Sequence, residues 1–259
     1  MDLGISGRKA IICASTQGLG KACATSLALE GCIVYINGRH AERAQQVAQE
    51  IARETGGLVY GVGADITTEA GRAALIAACP EADILVNNNA GPSPGKLADW
   101  HHESWIQALE SNMLAPALLI RAVVPGMRAR KFGRIINITS AMVKSPRPQM
   151  ALSTGARAGL TAFSKSLSLE VAVDNVTINS LLPERIDTDR QRFMAEKMMK
   201  EQSISMQEAR DQIAQSIAAK RFGTPKEFGD ACAYLCSAQA SFISGQNLQL
   251  DGGSYHGLI

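Results

Sequence analysis

At 259 residues, 46% apolar and 19% charged, the chain is globular and long enough to bury a large core. A net charge of +2 with no block of like charges argues against nucleic acid or a membrane surface as partner. The opening "MDLGISGRKAIICAS" has too short an apolar run for a signal peptide or a membrane span. The six cysteines, at 13, 23, 32, 79, 232 and 236, form no C-x-x-C pair and no metal-ligand spacing. Buried free thiols in a reducing cytoplasm, and no metal, are the expectation.

In chain order, short apolar runs alternate with amphipathic stretches. Strands are expected at 10–14, 33–37, 58–62, 84–88, 134–139, 177–182 and 247–250, apolar on both faces as buried parallel strands are. Helices are expected near 18–30, 40–55, 69–78, 103–130, 153–173 and 225–238. This reads as one α/β domain, residues 1–259, a Rossmann-type doubly wound parallel seven-stranded sheet with helices on both faces.

The first strand runs into "ASTQGLGKACATSLALEG", where Gly18 and Gly20 open a helix. Glycines there let the backbone approach a pyrophosphate at the helix N-terminus, although Ala14 stands where a first Gly would. The second strand ends at Asn37, Gly38 and Arg39, without the acidic residue that takes a ribose 2′-hydroxyl. Arg39 suits a 2′-phosphate instead, so NADP(H) is favoured over NAD(H). After the third strand, Asp65 could accept a hydrogen bond from adenine, or simply make a good turn. Residues 184–223 carry too much helix for a simple crossover, with Ser205 and Glu208 at capping-box spacing. Phe193, Met194, Met198 and Met199 give this insert an apolar surface. It reads as a lid over a substrate pocket, or as a helical hairpin packed on the body.

Eight segments in register resemble the short-chain dehydrogenase/reductase family, of the 3-oxoacyl-(acyl-carrier-protein) reductase-like kind: "ASTQGLG", "ADI", "DILVNNNAG", "SNMLAP", "GRIINITS", "NVTINSLLPERIDTD", "RFGTPKEFGDACAYL" and "ISGQNLQLDGG". The resemblance spans essentially the whole chain. It implies that Ala14, Ser15, Gln17, Gly18, Leu19 and Gly20 form the pyrophosphate turn and that Asp65 and Ile66 flank adenine. It further implies that Asn88, with its neighbours Ala90 and Gly91, supports the central sheet and the ribose, and that Asn112 holds a water in a proton relay. Ser140 would orient the substrate carbonyl, and Pro183, Ile186 and Thr188 would hold the nicotinamide carboxamide. A small keto or acyl substrate and a homo-oligomer, dimer or tetramer, are also implied.

The departures carry the interest. The family writes Tyr-x-x-x-Lys thirteen residues after the catalytic Ser; here those positions are Ser153 and Arg157. "NNNAG" has one Asn more than "NNAG", and Glu184 replaces the Gly after Pro183. Arg157 can keep a grip on ribose hydroxyls, but Ser153 is a poor acid or base near neutrality. The expected function is hydride transfer between NADP(H) and a keto or hydroxy compound, with altered proton handling. A water held by Ser153, Asn112 and Arg157, the loop cation Lys144, or Tyr255 and His256 of the tail are the candidate proton carriers. Two alternatives stay open: a cofactor-binding protein without turnover, and non-redox chemistry on the same fold.

Overall fold

The sheet is written by short aliphatic runs, and the computed structural model, which describes residues 1–258, places them in seven parallel strands. These are β1 Lys9–Ile12, β2 Ile33–Gly38, β3 Val59–Gly63, β4 Ile84–Asn87, β5 Gly133–Ile138, β6 Val176–Pro183 and β7 Asn247–Leu250. The helices are α1 Gly18–Leu29, α2 Ala41–Thr55, α3 Glu69–Ala78, α4 His102–Leu109, α5 Ala115–Ala129, α6 Ala151–Val171, α7 Asp189–Gln202, α8 Met206–Gln215 and α9 Pro225–Cys236. Spatial order is β3-β2-β1-β4-β5-β6-β7, so the strand order reverses between β1 and β4 and opens a crevice at their carboxyl ends.

Alternate residues of each strand feed two cores. Ile12, Ile36 and Ile136 join Leu27 of α1, Ile51 of α2 and Phe228 of α9 on one face. Ile11, Leu85 and Ile135 join Leu75 of α3 and Leu119 and Met127 of α5 on the other. The continuous helix His102–Ala129 is the one stretch among the described residues long and apolar enough to cross a membrane; its Leu119, Ile120 and Met127 are buried in the second core. All six cysteines are buried free thiols.

Three local differences from the sequence pattern matter. β1 stops at Ile12 rather than at Ala14, because Ala14 turns into the left-handed region at φ 44 and leaves the strand. β4 stops at Asn87, whose partner in the ladder is Asn137, so Asn88 already belongs to the following loop. The helical run His102–Ala129 is widened by a π turn at Glu110–Leu114, which separates α4 from α5 and is of the kind often found near functional sites. Between β6 and α9, α7 and α8 fold onto each other. Met198 and Met199 pack there with Ala195, Ala209 and Ile213, so much of the expected apolar surface is the hairpin's own core, and Phe193 stays outside at 53% exposure. The Ser205–Glu208 capping box forms as its spacing predicts.

Candidate active site

The turn after β1 is made of backbone. Gln17 caps α1 in an extended conformation without a side-chain bond, and the first turn holds no acidic residue, so the first N–H groups face outward with the positive end of the helix dipole. Gly18 sits at φ +57. Gly20 fills a notch where a Cβ would fall 2.6 Å from the Ala14 carbonyl oxygen and 2.8 Å from Ser15 Cα. Leu19 turns inward onto the core beside α1, and Ser15, fully buried, donates its hydroxyl to the Ile12 carbonyl at 2.7 Å. A Cβ on Gly38 would meet Thr16 Cγ2 at 2.6 Å, so Gly38 leaves room for the Thr16 side chain between β1 and β2. With Gly18 facing open space at the start of α1, this helix N-terminus fits the diphosphate of a dinucleotide.

Asn37 holds that floor in place. Its Oδ1 accepts from Ala14 N–H at 3.2 Å, its Nδ2 donates to the carbonyls of Val62 and Ala64 at 3.3 and 2.9 Å, and its backbone N–H donates to Ser15 Oγ at 2.9 Å. One side chain thus ties the ends of β1, β2 and β3, which is why it cannot also serve a ribose. Arg39 is exposed at the β2 tip and close enough to Asp65 to help hold that carboxylate below its usual range. The larger cause is Thr67, whose hydroxyl and N–H both donate to Asp65 Oδ1, at 2.7 and 3.0 Å. Asp65 is therefore part-occupied by its own turn, while Ile66 is buried.

Across the crevice the triple Asn divides its labour. Asn87 Nδ2 donates to Asn137 Oδ1 at 2.9 Å inside the sheet, and Asn88 Nδ2 donates to the Ala14 carbonyl at 2.9 Å, bracing the left-handed residue from outside. Asn89 Nδ2 donates to the Ser111 carbonyl at 3.2 Å, and Ala90 takes Asn112 Nδ2 on its carbonyl at 3.4 Å. Asn112 lies in the π turn, buried, with its Oδ1 lacking any hydrogen-bond partner.

Ser140 caps the short turn after β5, its Oγ accepting only the Met142 N–H, at 3.3 Å, which leaves its own proton to give. Ser153 and Arg157, one turn apart at the start of α6, are both buried. Arg157 Nε donates to Ser153 Oγ at 3.2 Å. Nη1 donates to the carbonyls of Ile138 and Thr139 at 2.7 and 3.2 Å, and Nη2 to the Asn89 carbonyl at 3.2 Å. Four of its five N–H groups are thereby spent on the protein. These bonds make a clamp joining the end of β5 to the loop after β4. Asn89 of "NNNAG" supplies one jaw of that clamp. Burial, aided by the charge of Arg190, lowers Arg157 to about 10, so it stays a cation at neutrality. A Cβ on Gly91 would lie 3.3 Å from Arg157 Nη2 and 3.4 Å from Ser153 Oγ, so the 89–91 segment meets Asn112 on one side and the Ser153–Arg157 pair on the other.

The end of β6 closes the crevice. Glu184 N–H donates to the Leu250 carbonyl at 3.0 Å, and its carboxylate pairs with Arg147 of the loop leading to α6. Ile186, buried, bridges to Gly223, and Thr188 is the N-cap of α7 with its hydroxyl unengaged by the helix. Asp187 takes Arg210 of α8 bidentately at 3.1 and 2.8 Å, tying the helical insert to this segment. Lys144 reaches over the Tyr255 ring at 5.6 Å, so two of the proposed proton carriers meet within one chain; His256 is exposed. The structure thus gathers every sequence-predicted residue at the carboxyl ends of the strands, except that Leu19 and Ile66 face apolar packing. The tying role of Asn37, and the parts of Asn89, Thr16 and Arg147, go beyond what the sequence pattern indicates. A polar residue ending an otherwise apolar strand, as in "IVYING", was the available signal for the first.

Residues 13–255 match the family described as enoyl-(acyl carrier protein) reductase. The chain is 33% identical to the NADPH-dependent reductase BacG of Bacillus subtilis, over 96% of this chain and 98% of that protein. It is 31% identical to the 3-oxoacyl-[acyl-carrier-protein] reductase FabG of Aquifex aeolicus, over 98% and 100%. Among solved structures, L-sorbose reductase from Gluconobacter frateurii, complexed with NADPH and L-sorbose, superposes with a TM-score of 0.94 at 32% identity, covering all of both chains. With match, identity and fold in agreement over nearly its full length, the chain belongs to the short-chain dehydrogenase/reductase family of oxidoreductases.

Proposed function

We propose that this protein is an NADP(H)-dependent reductase of a small carbonyl compound, in which Ser153 and a water replace the usual phenolic acid and Arg157 serves as a clamp. The observation that carries the reading is the contrast around Arg157. The cofactor notch is complete, yet the cation that would touch ribose is already bonded to three carbonyls and Ser153. The bare Gly20 notch and the outward N–H groups of α1 would hold the diphosphate, and Arg39 would take the 2′-phosphate. Asp65 keeps one carboxylate oxygen for adenine, and the Ile186–Thr188 segment would hold the carboxamide. When bound, the nicotinamide supplies a hydride; the protein orients it.

Ser140 donates its hydroxyl proton to the substrate carbonyl oxygen and so fixes its position. Ser153 keeps its own proton free because its oxygen is the acceptor from Arg157, and the unpartnered Asn112 Oδ1 offers a water a second anchor behind it. Proton delivery then runs from that water through Ser153 or Ser140. Positioned acid–base groups are worth roughly 10²–10⁴-fold, so turnover without the phenol is slow on simple ketones and better on activated ones. α7 and α8 act as the lid, pinned to the site by Asp187–Arg210. Exposed Ile106, Phe163 and Leu169 on α4 and α6 suit pairing with a second copy, and the buried thiols suit a reducing cytoplasm. A second reading, cofactor binding without turnover, is favoured by the pairing of Ser153 with a guanidinium, which gives up no proton near neutrality.

NADPH titration followed by mixing with 3-ketoacyl thioesters, ketones and quinones tests the proposal. Oxidation abolished by Ser140→Ala supports the reductase; tight binding with no oxidation above buffer supports the second reading.

A further inference from the structure

The π turn that carries Asn112 is held from two sides. On the crevice side it meets the 89–91 segment: Asn89 Nδ2 donates to the Ser111 carbonyl at 3.2 Å, and Asn112 Nδ2 to the Ala90 carbonyl at 3.4 Å. On the other side Glu110, its first residue, reaches α3. The Glu110 carbonyl closes the turn by accepting the Ala115 N–H, and its carboxylate accepts from Arg72 Nη1 at 3.3 Å. The same Nη1 donates to the Ile66 carbonyl at 2.9 Å. Arg72 is thus a strut between the turn after β3 and the π turn. Its side chain is only 15% exposed, which strengthens a charge-assisted bond relative to one in open water.

The far end of the strut is stiff. Asp65 Oδ1 accepts from the hydroxyl and the N–H of Thr67. Thr68 Oγ1 donates to the Asp65 carbonyl at 2.9 Å and accepts the Gly71 N–H at 3.0 Å, as the N-cap of α3. Gly71 lies so close that a Cβ there would fall 1.9 Å from the Asp65 carbonyl oxygen. Residues 65–72 therefore move as one unit, and whatever fixes Asp65 also fixes Arg72. A ligand seated on that unit stiffens Glu110 through two polar bonds, with no change of shape required.

We propose that Arg72 is a positioning residue, which ties the turn that sets Asn112 to the adenine end of the site, so that a nucleotide seated at Asp65 firms that turn. The inference rests on the cofactor reading for the ligand at Asp65. Arg72 itself touches neither cofactor nor substrate; it acts through the Ile66 carbonyl at one end and Glu110 at the other. The water anchor offered by the unpartnered Asn112 Oδ1 is then fully ordered only when the nucleotide is in place.

The test is amide hydrogen exchange over residues 110–115 of the full chain, with and without saturating adenosine 2′,5′-bisphosphate, which carries the adenine end alone. In the wild type the bisphosphate should slow exchange there by about threefold to tenfold. Glu110→Ala cuts the strut and leaves the adenine turn whole. It should bind the bisphosphate within about twofold of wild type, yet exchange about fivefold or more faster at 110–115 and show no slowing by the nucleotide. Arg72→Met should lose the slowing as well, and Arg72→Lys, which keeps a cation in place, should recover part of it. Slowing that persists in Glu110→Ala and Arg72→Met, or a wild type that binds the bisphosphate with no change at 110–115, would overturn the proposal. So would faster exchange spread evenly over all segments of Glu110→Ala, α9 included, which would make the pair a general stabiliser. No binding of the bisphosphate to the wild type would remove the cofactor reading itself, and this proposal with it.

Discussion

At the β1–α1 turn the site is made by backbone and by missing Cβ atoms, whereas at the start of α6 it is made by side chains. The first kind of construction tolerates little: Gly20 and Gly38 each leave under 3 Å to a would-be Cβ. The second kind has been rewritten. Ser153 and Arg157 occupy a buried turn, and the surrounding carbonyls of Ile138, Thr139 and Asn89 are matched to the new guanidinium. On the proposed reading, the cofactor end does not depend on this pair, whereas the proton chemistry does.

That contrast can be pushed hardest by restoring the family pair. Ser153→Tyr with Arg157→Lys should raise ketone reduction by roughly 10²-fold or more at low temperature, read as NADPH oxidation, because the rest of the site is intact. No gain would mean that the extra Asn has shifted the loop beyond what a phenol can span. Next in size is the clamp alone. Arg157→Met strands three carbonyls and a hydroxyl in a buried site, with an expected loss of about 3 kcal/mol, or roughly 6–12 °C in Tm, by thermal denaturation. If Arg157 chiefly gripped ribose, NADPH affinity would fall and Tm would not. At the other end, Ala14 is forced to φ 44, and Ala14→Gly should relieve about 1 kcal/mol, raising Tm by roughly 2–4 °C with cofactor affinity retained. The smallest effect lies outside both ends. Glu227, held by Arg221 and the Thr224 N–H, is lowered to about 2. Its folded value is below the unfolded one, so its contribution is present above about pH 4.5 and lost as pH falls towards 2; Glu227→Gln should flatten that part of an acid-unfolding curve.

The sheet was legible because buried parallel strands are continuous apolar runs, and the cofactor end because glycine spacing encodes backbone approach directly. Capping pairs such as Ser205–Glu208 were equally plain. What the sequence hid depended on partners far along the chain. The bonds of Arg157 to the carbonyls of Ile138, Thr139 and Asn89 leave no trace in composition. Asn37 read as the tip of a strand because its four bonds reach the ends of two neighbouring strands, β1 and β3. The π turn at Glu110–Leu114 has no residue signature at all, yet it sets Asn112. The methionines of α7 read as a substrate surface because periodicity does not tell which partner an apolar face will choose.

The replacement of a titrating acid by Ser153 and water is tested most directly by the pH profile of kcat/KM for an NADPH-dependent ketone reduction between about pH 6 and 9, below the value of about 10 for Arg157. A flat profile that falls in height with Ser153→Ala, without changing shape, is predicted. A decline set by a single ionisation in that range, removed by substituting one side chain such as Lys144 or Tyr255, would contradict it and place the proton on that residue.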